Sequence, residues 1–134
     1  YGNKIKELIN YHSVSAQVIL PGEVSDEDRY WLFRNCTAFV FPSISEGFGL
    51  PVVEAMSLGK PVFLADKSSL PEVGGTEAFY FKNFDAAQMA NEYHARMNEF
   101  VFDIAKATRI IQHSEKFGWK KSAEEYVKVY REMM

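Results

Sequence analysis

A strand-like run, a glycine-containing loop and a helix follow one another between Thr37 and Gly59. The run at residues 37–41 is apolar, the loop at residues 43–49 contains two glycines, and Pro51 follows the loop. Proline is favoured in the first turn of a helix and glycine directly after its end, so we expect a helix that opens at Pro51 and stops at Gly59. Backbone N–H groups without partners at such a helix start can hold an anion. The order of elements therefore predicts a ligand site beside the loop.

Two glutamates flank this loop. Glu46 precedes Gly47 and Gly49, and Glu54 lies in the first turn of the predicted helix. The glycines carry no Cβ, so a ligand can approach the backbone closely. A carboxylate would repel a phosphate, but it accepts hydrogen bonds from hydroxyl groups beside the phosphate. A diphosphate between two polyols has this chemistry, and a nucleotide sugar is such a molecule. The alternatives are a solvated loop acid for Glu46 and an acid that complements the helix dipole for Glu54.

Residues 46–54, EGFGLPVVE, resemble the E-x7-E motif of the group 1 retaining glycosyltransferases, which consist of two Rossmann-like domains (the GT-B fold). The flanking residues match as well, with FPS before the motif, EAMSLGKPV at its end and LPEV at residues 70–73. The resemblance extends over about residues 4–131 and covers the C-terminal, donor-binding part of such an enzyme. It implies transfer of a sugar from a nucleoside diphosphate sugar to an acceptor hydroxyl with retention, as in mannosyl- and glucosyltransferases.

The resemblance also implies a role for each residue of the motif. Glu46 would be the catalytic residue that orients the donor sugar by accepting its hydroxyl protons, and Glu54 would contact the ribose hydroxyls. Backbone N–H groups of the loop would contact the sugar and stabilise the departing diphosphate. Neither a metal nor another cofactor is implied. The donor-binding set is Gly47, Phe48, Gly49, Leu50 and Glu54.

A second loop resembles the family's segment beside the nucleobase. It consists of Gly22, Glu23 and Val24, and its plain alternative is a tight turn. Metal ligation has less support, since the histidines have irregular spacing. Asp26-x-Asp28 does spell the D-x-D metal motif of a different glycosyltransferase fold. We expect Ser25 to be the N-cap of a helix with acids through its first turn, and this helix capping already explains both acids.

Helices alternate with short apolar segments along the chain, which predicts an α/β, Rossmann-like fold. We expect a three-layer open parallel sheet of about four strands with helices on both faces. The predicted strands are residues 16–20, 37–41, 61–65 and 78–81, and the continuous apolar run at 61–65 indicates burial on both faces. The loops at residues 21–26, 43–49 and 66–69 are expected at the carboxyl edge of the sheet, where ligands bind. Asp85 is predicted to cap a helix that ends near residue 97, and Asn98 to cap the next one. The last helix is predicted at about residues 122–133, with Tyr126 and Tyr130 in the core.

The 134 residues are predicted to form a single domain that is incomplete relative to the family. In the family, two further strands precede the one at residue 16 and lie centrally in the sheet. That segment also supplies the Arg and Lys that contact the diphosphate, and a separate N-terminal domain binds the acceptor, a glycan or lipid-linked glycan. We therefore expect a chain truncated at its N-terminal side that transfers no sugar by itself. Completion of the sheet by a second copy, as a homodimer, is an alternative.

Composition excludes some classes of partner. The net charge is −3 and no basic stripe is interleaved with the aromatics, which argues against nucleic acid binding. No apolar run reaches about 18 residues and no signal peptide is recognisable, so no transmembrane segment is predicted. The single cysteine, Cys36, is predicted to be a buried thiol, which fits a cytoplasmic protein. Peripheral association of the parent enzyme with the inner membrane face is compatible with this.

Two other functions fit the same resemblance. One is a non-catalytic module that only binds a nucleotide sugar. The other is a domain like that of a nucleotide-sugar epimerase, an enzyme class that shares the two-domain architecture. Epimerases need acid–base residues, which are not recognisable in this sequence.

Overall fold

A three-stranded parallel sheet forms the centre of the fold. A computed structural model of the chain describes residues 2–133. Its strands are β1 (Phe39–Phe41), β2 (Val62–Ala65) and β3 (Phe79–Phe81), in the spatial order β1-β2-β3. All four residues of β2 are buried, as expected for a central strand in a parallel sheet. The predicted α/β class with a parallel sheet flanked by helices is confirmed.

Helices precede, separate and follow the three strands along the chain. Among residues 2–133 they are α1 (Gly2–Tyr11), α2 (Asp26–Asn35), α3 (Leu50–Ser57), α4 (Leu70–Gly74), α5 (Ala86–Phe102), α6 (Lys106–Ser114) and α7 (Trp119–Glu132), with a 3-10 turn at Glu115–Phe117. None of them is long and apolar enough to cross a lipid bilayer. The predicted caps of α2 and α5 are confirmed, since the Ser25 and Asp85 side chains accept backbone N–H groups of the first turns.

The prediction of a strand at residues 16–20 is wrong. The Gln17 and Val18 N–H groups donate to the carbonyl of Val14 at 2.9 and 3.1 Å, in a local turn, and Ile19 is 84% exposed. A strand forms only where a neighbouring strand satisfies its backbone groups. Within residues 2–133 the sheet consists of β1, β2 and β3, and none of these strands pairs with this segment. The sheet therefore has three strands rather than about four.

The predicted helix break at Asn98 is also wrong. One helix continues from Ala86 to Phe102, and the break follows at residues 103–105. The Asp103 N–H donates to the carbonyls of Glu99 and Phe100 and closes the helix, while its carboxylate pairs with Arg109 on α6. Asparagine is able to cap a helix, but Asn98 does not begin a new helix here, because helical hydrogen bonding continues through it.

The last helix begins at Trp119, three residues before the predicted start. Gly118 takes an extended conformation (φ −70°, ψ 138°) and acts as its N-cap. The prediction that Tyr126 and Tyr130 belong to the core is wrong, since they are 66% and 62% exposed. Every residue of α7 is exposed, so this stripe faces solvent in the described chain.

The core fixes the position of α3. Val52, Ala55 and Met56 are fully buried against the sheet, and α6 covers α3 with Ile110. Gly59 follows the helix end with φ +70°, which confirms the predicted glycine at this point. The start of α3, where the glycine loop arrives, is thus held in place by buried apolar contacts.

An ion pair connects the segment after α4 to α6. The Glu77 carboxylate lies 3.0 Å from Lys106 Nζ and 3.5 Å from Arg109 Nε, and the Lys106 ammonium also lies over the Phe79 ring. Partial burial acts to raise the pKa of Glu77. The hydrogen bond from Lys106 and the charges of Lys106 and Arg109 together outweigh burial, so the pKa lies below its ordinary value.

We expect this pair to make stability depend on acid pH. Because the pKa of Glu77 is lower in the folded chain than in the unfolded one, its contribution is present above the unfolded value of 4.5 and is lost as the pH falls through the folded value. Glu77→Gln should cost about 1 kcal/mol of unfolding free energy at pH 7 and less at pH 3, measured by urea unfolding. Glu72→Gln, at an exposed acid, is the control. An equal Glu77→Gln effect at both pH values would contradict the assignment.

Candidate functional site

The glycine loop enters α3 through an unusual backbone conformation. Gly49 has φ +103° and ψ +47°, and its carbonyl accepts the N–H groups of Val52 at 2.9 Å and Val53 at 3.4 Å. The helix therefore begins at Leu50, one residue before the predicted Pro51. A residue with a Cβ is strained at this φ, so Gly49 is required by the backbone itself.

Four consecutive backbone N–H groups at this helix start have no hydrogen-bond acceptor within residues 2–133. Pro51, the next residue, has no N–H group, and Val52 is the first to donate within the helix. Unpaired donors at a helix start, together with the positive end of the helix dipole, attract anions. The four groups belong to Gly47, Phe48, Gly49 and Leu50.

Two serines of the loop after β2 hold the backbone around Glu46. The Glu46 N–H donates to Ser68 Oγ at 3.1 Å, and Ser68 Oγ donates to the Glu46 carbonyl at 2.7 Å. Ser69 Oγ lies 3.1 Å from the carbonyls of both Glu46 and Phe48. Sequence reasoning placed this loop at the ligand edge of the sheet but assigned its serines no role. Their position directly after a buried strand is the signal that could have identified them.

The Phe48 side chain rests on an aromatic neighbour. Its ring meets the edge of Phe117 at a centroid distance of 5.6 Å, and Phe117 in turn meets His113 at 5.8 Å. His113 Nε2 lies 2.9 Å from the Val73 carbonyl, so Nε2 carries the proton and Nδ1 accepts from Lys116 at 3.2 Å. The loop is therefore anchored on one side by serine hydroxyls and on the other by an aromatic row.

Glu54 is the fifth residue of α3, and the prediction that it lies in the first helical turn is wrong because the helix starts earlier. Its Oε2 atom lies 3.5 Å from Arg29 Nη1 on α2, and Arg29 also pairs with Asp26 at 3.1 Å. Oε2 has no hydrogen-bond partner among the described residues. This oxygen is buried beside Arg29, whereas the Glu54 side chain as a whole is 41% exposed, so another part of the side chain is open to a ligand.

The two glutamates do not share the cavity that Glu54 lines. This cavity, about 110 Å³, lies between α2 and α3 and is also lined by Tyr30 and Phe33, whereas Glu46 is not part of it. A ligand pocket typically measures about 300–1,000 Å³, so a nucleotide does not fit inside this space.

The predicted nucleobase loop is an exposed turn in the structure. Gly22 has φ +74°, and an added Cβ would meet no atom within 4 Å. Glu23 is exposed and Val24 half-buried. The positive φ explains the glycine through turn geometry, and the contact to a nucleobase stays a prediction.

The acids of the D-x-D sequence make contacts within the first turn of α2. Asp28 accepts a hydrogen bond from Ser25 Oγ at 2.8 Å and donates its N–H to the same oxygen, while Asp26 pairs with Arg29. In the part of the chain that the structure covers, no group of three or more His, Cys, Asp or Glu side chains is arranged to hold a metal ion. Cys36 is half-buried and its thiol lies 3.3 Å from the Phe33 carbonyl.

Comparison with known proteins gives a consistent result. A family model described as "Glycosyl transferases group 1" matches residues 1–117. The chain is 33% identical over 114 residues to the serotype-specific mannosyltransferase WbdA of Escherichia coli, which covers 85% of this chain and 14% of the relative. It is 35% identical over 111 residues to the O-antigen chain mannosyltransferase B of Escherichia coli, covering 82% of this chain and 29% of that protein.

A more distant relative and a solved structure agree with these matches. The D-inositol 3-phosphate glycosyltransferase of Streptomyces bingchenggensis (strain BCW-1) is 31% identical over 116 residues, which is 85% of this chain and 25% of the relative. The chain therefore spans less than a third of each of these proteins. Sucrose-phosphate synthase from Thermosynechococcus elongatus superposes with a TM-score of 0.84 over 98% of this chain and 34% of its own, at 21% identity, which shows a shared fold.

Proposed function

Because the chain belongs to the family of group 1 glycosyl transferases, we propose that it is the donor-binding domain of a retaining glycosyltransferase. The parent enzyme moves a sugar from a nucleoside diphosphate sugar to an acceptor hydroxyl. The observation that carries this proposal is the run of four N–H groups at the start of α3 that find no acceptor within residues 2–133, with a glutamate on either side in sequence. Two relatives are named as mannosyltransferases, so a mannosyl donor is the first one to test.

The residues of the helix start have separate tasks in this mechanism. The barrier to transfer is dominated by departure of an anionic diphosphate from an oxocarbenium-like sugar. N–H groups that are already aligned stabilise that charge without reorganising, and this is why their fixed backbone matters. Gly49 supplies the conformation that points the chain into α3, and Gly47 leaves open space for the diphosphate to approach.

The glutamates act as acceptors for hydroxyl groups on the two ends of the donor. The Glu46 carboxylate makes no hydrogen bond or ion pair with any residue from 2 to 133, so its oxygens are available to orient the transferred sugar. The Glu54 side chain is 41% exposed, and its carboxylate accepts from the ribose hydroxyls. Arg29 Nη1 lies 3.5 Å from Glu54 Oε2 on the side of α2. Neither glutamate acts as a nucleophile, since departure and attack take place on the same face of the sugar.

Acceptor binding belongs to another domain of the parent enzyme. The acceptor is a glycan or lipid-linked glycan, and the enzyme works in the cytoplasm or at the inner face of the membrane. The 134-residue chain by itself binds the donor but transfers no sugar. Turnover of donor and acceptor by the purified chain would contradict this division of labour.

A titration of the isotope-labelled chain tests donor binding. GDP-mannose, UDP-glucose, GDP, UDP and inorganic pyrophosphate are each added while the backbone amide NMR signals are followed. We expect one nucleotide sugar to bind more tightly than pyrophosphate and to shift the signals of Gly47, Phe48, Gly49 and Leu50. Binding of pyrophosphate alone would reduce the site to a simple anion site, and no shift with any probe would overturn the proposed function.

A further inference from the structure

The hydroxyl groups of Ser68 and Ser69 contact a backbone segment more than twenty residues away in sequence. Ser68 Oγ both accepts from the Glu46 N–H and donates to the Glu46 carbonyl. Ser69 Oγ lies 3.1 Å from the carbonyls of both Glu46 and Phe48, and because Ser68 already donates to the Glu46 carbonyl, the single hydrogen of Ser69 is available to the Phe48 carbonyl. Ser68 has φ +56°, a conformation that is uncommon for a residue with a Cβ and costs free energy. The surrounding structure thus maintains a strained serine whose hydroxyl bridges both polar groups of one backbone residue.

These bonds determine which way the loop N–H groups point. In a trans peptide, the N–H of one residue is directed opposite to the carbonyl of the residue before it, and residues 2–133 contain no cis peptide. The serines draw the carbonyls of Glu46 and Phe48 towards the loop after β2. The N–H groups of Gly47 and Gly49 are therefore directed away from that loop. Both belong to the four that lack an internal acceptor.

We propose that Ser68 and Ser69 are positioning residues for the diphosphate of the donor, which they never touch. By holding two carbonyls, they turn the N–H groups of Gly47 and Gly49 towards the ligand before it arrives. This inference rests on the proposed function, because it assigns the two N–H groups to a nucleoside diphosphate sugar. N–H groups that are aligned in advance bind the diphosphate more tightly, since binding does not have to order the loop.

Three variants distinguish the contribution of the serine hydroxyl groups from other effects of substitution. Ser69→Ala removes the hydroxyl that lies 3.1 Å from the Phe48 carbonyl, and Ser69→Thr retains it. Ser68→Gly removes the other hydroxyl at a position where glycine tolerates the positive φ, so its fold is not strained. Ser122→Ala is the matched control, because that hydroxyl reaches only the Gly118 carbonyl at 3.5 Å on α7.

The affinity for GDP-mannose and UDP-glucose is measured by calorimetry, and the loop is followed by amide hydrogen exchange. We expect Ser69→Ala and Ser68→Gly each to weaken binding of the preferred donor by about fivefold, as for a lost hydrogen bond. Ser69→Thr should restore it, and Ser122→Ala should leave it unchanged. The Glu46 amide should exchange faster in Ser68→Gly, with the melting temperature of the chain unchanged.

The outcomes distinguish this inference from the function on which it rests. If the unmodified chain binds a donor and Ser69→Ala binds it equally well, the positioning role is overturned while the proposed function stands. Equal loss in Ser69→Ala and Ser69→Thr also overturns it, since the hydroxyl is then not the cause. If the unmodified chain binds neither donor, the proposed function fails and this inference fails with it. Should Ser69→Ala not fold, the comparison of Ser68→Gly with Ser122→Ala decides.

Discussion

Gly49→Ala is expected to lower the free energy of unfolding by about 1–3 kcal/mol, whereas Gly47→Ala should change it by less than about 0.5 kcal/mol. Gly49 has φ +103°, and an added Cβ would lie 3.2 Å from Leu70 Cδ2. Gly47 has no positive φ, and an added Cβ would meet no atom within 4 Å. The two glycines of the motif therefore serve different purposes, and urea unfolding of both variants measures the difference.

Binding of the nucleotide sugar to the same two variants then shows whether the ligand approaches these glycines. Gly49→Ala should weaken binding of the nucleotide sugar by more than tenfold, because the loop has to shift to relieve the strain. Gly47→Ala should weaken it as well, without loss of stability, because the methyl group occupies the space that the diphosphate needs. A stable Gly49→Ala chain would contradict the backbone argument. Unchanged donor binding in Gly47→Ala would show that the ligand does not approach this residue.

Glu54→Gln is expected to weaken the binding of a bare nucleoside diphosphate by tenfold or more, while Glu46→Gln should change it by less than about twofold. A hydrogen bond from a hydroxyl to a carboxylate contributes about 1.5–3 kcal/mol, and the ribose is part of the nucleotide. The transferred hexose is absent from GDP or UDP, so Glu46 has nothing to orient there. With the nucleotide sugar as ligand, both variants should bind more weakly. Calorimetry with GDP and GDP-mannose, and with UDP and UDP-glucose, measures these differences.

Structural side effects of Glu54→Gln are expected to be small. The Arg29–Glu54 pair is about half exposed, and such pairs contribute about 0–1 kcal/mol. Arg29 also keeps Asp26 as a partner in the variant. Glu72→Gln, at an exposed acid on α4, is the matched control and should bind all ligands normally. Equal effects of Glu46→Gln and Glu54→Gln on bare nucleotide affinity would contradict the assigned roles.

Local signals in the sequence predicted the elements that build the site. The apolar run at residues 61–65 predicted a strand buried on both faces, and β2 is fully buried. Ser25 and Asp85 predicted helix starts, and both cap their helices. These predictions succeeded because each depends on a few neighbouring residues: a capping side chain reaches an N–H group about three positions away, and a continuous apolar run indicates burial wherever the strand lies.

Predictions that needed a distant partner were less successful. The strand expected at residues 16–20 has the right composition, but no strand lies beside it in the described chain. Apolar residues on α7 predicted a core face, yet burial also requires a second surface, and the described residues provide none. The direction of the Glu54 side chain depended on Arg29, which is separated from it by a whole strand and loop.

The amino-acid sequence by itself determined the strand, the glycine loop and the helix start of the site, because backbone preferences of glycine and proline act within one or two residues. Only the tertiary structure decided how this loop is oriented. The serines that hold it lie 21–23 residues further along the chain and reach it because parallel strands bring successive loops to the same edge. Hydrogen bonds over such separations depend on how the sheet is assembled, and no local pattern encodes them.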